Sequence, residues 1–133
     1  MQMSRIRGAL ASAAVIVLIA VACNESTAPT FELAVTNNPD DFLAESVTVL
    51  NASLDREYTW QNSGTRATIT HGTVVDNGAA RIGIKDAVGA TIYDRALTFG
   101  MSEQTQVGAA GAWRIEILLA GFSGTGNVRV QKL

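Results

Sequence analysis

Between Trp113 and Leu119 the chain spells Trp-Arg-Ile-Glu-Ile-Leu-Leu, so Trp113, Ile115, Ile117 and Leu119 fall on one side of an extended backbone and Arg114 and Glu116 on the other. Side chains of a strand alternate between faces, and this spelling gives a strand one buried side where a helix would scatter the same residues around its surface. The pattern recurs. Ile82 and Ile84 alternate with Arg81 and Lys85, Val128 and Val130 with Arg129 and Gln131, and Tyr58 shares parity with Trp60, as Ala67 does with Ile69. Phe42 to Leu54 is less regular, but its Ser-Val-Thr-Val core from Ser46 favours a strand through β-branched residues.

Turn chemistry punctuates these runs. Asn37-Asn-Pro-Asp-Asp41, Asn62-Ser-Gly64 and Asp86-Ala-Val-Gly89 are turn clusters, and Asp76-Asn-Gly78 has the residues of a tight hairpin turn. The stretch Gly121-Phe-Ser-Gly-Thr-Gly126 separates two alternating runs, which are expected to form a hairpin or neighbouring strands. Short strands at near-regular intervals predict an all-β fold: a single antiparallel β-sandwich, jelly-roll or Ig-like, of about eight strands, with a closed barrel as the alternative.

The first thirty residues follow different rules. Arg5 and Arg7 precede an uncharged apolar run from Gly8 to Ala22, the layout of an export signal, expected to be helical. Fifteen residues rise only about 22 Å as a helix, short of the roughly 30 Å of bilayer hydrocarbon, which argues against a permanent span. The run ends in Ala20-Val-Ala-Cys23, which resembles the lipobox of bacterial lipoproteins. That resemblance implies cleavage before Cys23 and a lipid on its thiol; ordinary secretion after Ala22 is the alternative. Cys23 is the one cysteine in the chain, so it has no internal disulfide partner, and a lipid accounts for it. The expected organisation is residues 1–22 as signal peptide, 23–30 as a flexible tether containing Pro29, and 31–133 as the β domain.

Two of ten basic residues leave with the leader while all twelve acids stay, giving the mature chain a formal charge of −4. Its eight cations are scattered singly, which speaks against nucleic acid as a partner. The order Ala80-Arg-Ile-Gly-Ile-Lys-Asp86, Gly108-Ala-Ala-Gly-Ala-Trp113 and Ser123-Gly-Thr-Gly-Asn-Val-Arg-Val130 is similar to small secreted jelly-roll modules such as bacterial pre-peptidase C-terminal domains, over roughly residues 65–133. That resemblance implies a non-catalytic module, some relatives of which bind calcium or glycans.

Candidate chemistry is sparse. His71 is the sole histidine, placed at a strand end, and without a second histidine or a lipid-free thiol it offers no zinc set. Asp40, Asp41, Asp76 and Asp86 sit in expected turns, where aspartate bonds its own backbone; none has calcium-loop spacing. Trp60 and Trp113 share parity with apolar neighbours and are expected in the core rather than on a glycan platform. No G-x-S-x-G elbow occurs. The sequence therefore names no catalytic, cofactor or metal residue, and one modification residue, Cys23. It predicts a membrane-tethered binding module of a bacterial cell envelope, periplasmic or surface-facing, with a protein or glycan ligand. A small envelope hydrolase with dispersed acids, or a secreted calcium- or glycan-binding sandwich, is the alternative.

Overall fold

The computed structural model describes residues 31–133; the expected signal peptide, Cys23 and the expected tether lie outside them. Seven strands follow one another: β1 (Ala34–Asn38), β2 (Asp41–Asn62), β3 (Ala67–His71), β4 (Val74–Lys85), β5 (Thr91–Ala96), β6 (Met101–Gln104) and β7 (Gly111–Lys132). All pairings are antiparallel and all belong to one sheet. No helix long and apolar enough to cross a membrane lies among the described residues.

The architecture is decided by β2 and β7, each 22 residues long and paired along almost their whole length. A straight strand of that length would span roughly 70 Å. Yet the amide of Asp40, just before β2, donates to the carbonyl of Gln61 near its other end at 2.9 Å, and the Trp60 indole donates to the Asn38 carbonyl at 2.9 Å. The β2–β7 ribbon is therefore folded in half, and its halves face each other across the core. One layer reads β1, first half of β2, second half of β7, β3, β6; the other reads second half of β2, first half of β7, β4, β5.

The fold lies where the register slips. Shifts occur between Ser46 and Leu54 on β2, and again between Val75 and Ala79 on β4. Bulges bend and twist a strand locally, and several in succession turn a flat ribbon into a corner. Asn51 (φ 50°) and Gly121 (φ 52°) occupy the left-handed backbone region at this corner. The far side is held by a seam between β5 and the end of β6, where the Gln106 amide meets the Ile92 carbonyl at 3.1 Å and the Tyr93 hydroxyl donates to Glu103 at 2.9 Å.

Two expectations change in detail. Asp76-Asn-Gly78 is no hairpin turn but a bulged stretch inside β4, and Gly121–Gly126 joins no hairpin, since Trp113–Leu119 and Val128–Val130 belong to the same strand. The strand count is accordingly seven. The turns at Pro39–Asp40, Ser63–Thr65 and Ala87–Gly89 fall where their residues indicate. The core holds Phe42, Trp60, Ile69, Ile82, Ile84, Trp113, Ile115, Phe122 and Val130, each at or near zero exposure. Trp60 and Trp113 sit opposite each other on β2 and β7 in an edge-to-face arrangement with centroids 5.8 Å apart, a geometry favoured by the ring quadrupoles.

Candidate functional site

The outer face of the second layer carries a row of charged side chains that line a common hollow. Its register lines up Glu57 with Glu116, Glu116 with Gly83, and Gly83 with Asp94, one row across four strands. A neighbouring row brings Lys85 against Arg114, and Arg81 lies two residues before Gly83 on β4. Gly83 contributes no side chain, so the sheet surface sinks between Glu116 and Asp94 into a trough of about 120 Å³, rimmed by these charges and by Thr91 and Leu118.

Within the trough the charges are partly committed. Arg81 forks onto Asp94, Nε to Oδ1 at 2.6 Å and Nη2 to Oδ2 at 2.7 Å, and this pairing holds the Asp94 carboxyl below its ordinary range. Glu57 stands 3.8 Å from Arg114. Lys85 and Glu116 enter no ion pair among the described residues. The surface thus offers a free ammonium and a free carboxylate on neighbouring strands over a shallow floor. Such an arrangement can hold a ligand carrying both an acidic and a basic or hydroxyl group.

The residues singled out from sequence do not converge. Cys23 lies outside the described residues. Asp40 accepts from the Ser63 amide and hydroxyl, both at 2.9 Å, an arrangement that pulls its carboxyl below its ordinary range, the backbone bond contributing most. Asp41 forks with Arg129 at 3.0 and 3.1 Å. Asp86 is buried and accepts the amides of Val88, Ala90 and Ala109 at 3.1, 2.9 and 2.9 Å, stapling its own turn to the loop before β7; the Ala109 bond is the leading cause of its depressed pKa. Asp76 lies within β4. Among the described residues no three of histidine, cysteine, aspartate and glutamate gather in a way that could hold a metal ion. Trp60 and Trp113 are both core residues, their indole N–H groups donating to the carbonyls of Asn38 and Ala109 at 2.9 and 2.7 Å.

His71 closes β3 with its ring turned inward, 3% exposed, and neither ring nitrogen has a hydrogen-bond partner. Burial lowers its pKa from 6.5, while the negative charge of Glu103 pulls the other way. The unfolded chain therefore binds the proton at a higher pH than the folded one, so stability is full above about pH 6.5 and falls as the pH drops through that value towards the folded pKa. The denaturant midpoint of the wild type is expected to fall between about pH 7 and pH 5, at up to about 1.4 kcal/mol per pH unit. In His71→Leu that part of the slope should vanish; an unchanged slope would assign the pH dependence to other groups.

Glu103 and the trough are the sites that sequence reading missed. Glu103 receives the Tyr93 hydroxyl and, at 3.3 Å, Arg95 Nε; these bonds, led by that from Tyr93, lower its own pKa, while burial, reinforced by Glu103, pushes the Tyr93 phenol up. Neither is foreshadowed by local spacing, because both depend on which strands become neighbours.

The fold and surface together define an all-β, sandwich-like domain with a charged trough on one outer face. No protein-family model matches the chain, and no curated protein matches it. Among solved structures, it is similar to a chain of accessory secretory protein 1, 2 and 3 from Streptococcus pneumoniae, at 12% identity and TM-score 0.38 over 78% of this chain and 87% of that one. It is also similar to the capsular polysaccharide assembling protein CapF of Staphylococcus aureus, at 12% identity and TM-score 0.33, covering 81% of this chain and 31% of that one. A third is the infectious bursal disease virus Gx strain structure, at 13% identity and TM-score 0.24, covering 76% of this chain and 31% of that one.

Proposed function

We propose that this chain is a lipid-anchored bacterial cell-envelope lipoprotein whose β domain is a non-catalytic binding module, contacting a protein or glycan partner through the trough over Gly83. The observation that carries the reading is the leader: two arginines, a fifteen-residue apolar run and small residues ending at the chain's sole cysteine, Cys23. Each buried lipid methylene contributes about 0.8 kcal/mol, so the two or three chains of a bacterial lipid modification would hold the domain at the membrane durably. Binding rather than hydrolysis is supported by the way Asp40, Asp41 and Asp86 are each committed to separate structural bonds.

Intact-mass measurement of the membrane-extracted protein tests the anchor. A lipidated chain starting at Cys23 is expected, with Cys23→Ala moving to the soluble fraction at the bare polypeptide mass. Bare wild-type polypeptide starting at Cys23 would favour ordinary secretion. The contact face is tested by Gly83→Val. No heavy atom lies within 4 Å of the position its Cβ would take, so the first carbon of the new side chain enters open space over the trough. The variant is expected to keep the wild-type denaturation midpoint. In titrations with soluble peptidoglycan fragments it should lose the amide shifts that the wild type shows at Lys85 and Glu116. Shifts that survive the substitution would remove the trough from the binding surface.

A further inference from the structure

The folded end of the β2–β7 ribbon carries a surface whose occupant is set by where the chain enters the domain. Val47 and Leu50 project from the β2 corner with 81% and 84% of their surface exposed. With Phe31, Glu32, Val49 and Leu54 they line a broad open hollow, and Val74, at the start of β4, is exposed close by opposite Thr125. Strand β1 begins at Ala34 opposite Glu45, beside this corner, and runs away from it to Asn38 opposite Asp41. The domain's N-terminal end, at Phe31, is therefore part of the hollow itself. The opposite pole holds the Pro39–Asp40, Ser63–Thr65 and Ala87–Gly89 turns and the C-terminal Leu133, whose amide meets Arg66.

Phe31 stands eight residues after Cys23, which limits the separation between lipidated sulfur and hollow to at most about 28 Å. We infer that this corner is a membrane-contact surface: Val47 and Leu50 seat in the interfacial layer of the bilayer that holds the Cys23 lipid, with the half-buried Phe31 behind them against the core, leaving the turn-bearing pole pointing away. The inference rests on the lipoprotein reading. Apolar side chains at a corner beside a short tether meet lipid whenever the domain settles, and each one buried is removed from water without ordering a partner protein. The rim acids Glu32 and Asp55 outnumber the one rim cation, Arg56, so the contact is hydrophobic and needs no anionic headgroup. It should be insensitive to salt, unlike a polybasic attachment.

The test uses lipidated mature protein reconstituted in phosphatidylcholine vesicles with chain-brominated lipid, which quenches nearby indoles. Leu50→Trp is the probe, Val47→Trp a second probe at the same corner, and Val88→Trp, at a position 78% exposed in the Ala87–Gly89 turn, the control at the far pole. Native Trp60 and Trp113 are buried and supply a constant background. Corner indoles are expected to be blue-shifted and quenched at both low and high salt, with the V88W indole unquenched. Protein that carries lipid and floats with the vesicles, yet leaves both corner probes unquenched, overturns the contact while the anchor stands. Blue-shifted but unquenched corner probes would place a protein, or a second copy, on the hollow and equally overturn it. A chain without lipid mass that fails to float would instead remove the anchor, and the contact with it.

Discussion

Gly124→Ala is expected to lose about 2–5 kcal/mol of folding stability, the sum of one steric and one conformational effect. Gly124 sits at φ 146° inside β7, where it pairs with Val49 on one side and Val75 on the other. A Cβ there would overlap the Val74 carbonyl oxygen, a backbone atom that cannot swing aside as a side-chain tip could. The backbone conformation also belongs to glycine, so the added carbon is penalised even before it meets a neighbour. Small domains have only about 5–15 kcal/mol in total, so the variant should lie near or past half-unfolding under mild denaturant. Equilibrium urea denaturation with Gly72→Ala as control measures this. At Gly72 no heavy atom stands within 4 Å of the new carbon, and the midpoint should barely move. Equal midpoints for both variants would mean that the corner does not require the close approach of β4 and β7.

Trp113→Ala should cost about 3–5 kcal/mol. The ring is fully buried, packs edge-to-face on Trp60, and its N–H satisfies the Ala109 carbonyl at 2.7 Å. Truncation removes the largest class of core side chain, opens a void between the two layers and leaves that carbonyl with only the longer bond from the Ala87 amide at 3.3 Å. The loop from Thr105 to Ala110 also loses one of its ties to the sheet, although Asp86 still accepts the Ala109 amide. Near-UV circular dichroism, dominated by the coupled indoles, should collapse together with the urea midpoint. A retained midpoint with a lost aromatic signal would show that the pair orders the core without stabilising it.

How the strands read in sequence depended on whether their pattern stayed in phase. Along β2 the buried residues Phe42, Ala44, Ala52 and Trp60 are all even-numbered, but they are sparse between Ala44 and Ala52, so the run from Phe42 reads as strand through its β-branched Ser46-Val-Thr-Val core. Along β7 the buried parity changes, from Trp113, Ile115, Ile117 and Leu119 to Phe122, Val128 and Val130. A bulge at Gly121 inserts one residue and flips the side chains between faces, and in sequence such a phase change amid three glycines is indistinguishable from a turn between two strands. The same holds for Asp76-Asn-Gly78, where the φ of 73° that Gly78 adopts serves a bulge as well as a hairpin.

The candidate site was legible only in fragments. Arg114, Glu116, Arg81 and Lys85 read correctly as an outward-facing charged set, and Trp60 and Trp113 as core. That Glu57, Glu116 and Asp94 share a row, with a glycine making the hollow between two of them, follows from pairings between residues tens of positions apart. The burial of His71 without a partner likewise reflects what lies across the layer from β3.

By itself, the sequence determined the all-β class, the inward and outward faces of the alternating runs and the core placement of Trp60 and Trp113, because each is a matter of local period, turn chemistry or composition. Tertiary structure alone decided that one ribbon folds back on itself, which charges meet over Gly83, and that the chain enters beside the exposed Val47 and Leu50. Those outcomes depend on register between distant segments, and register is set by the packing of the whole core rather than by any stretch of neighbouring residues.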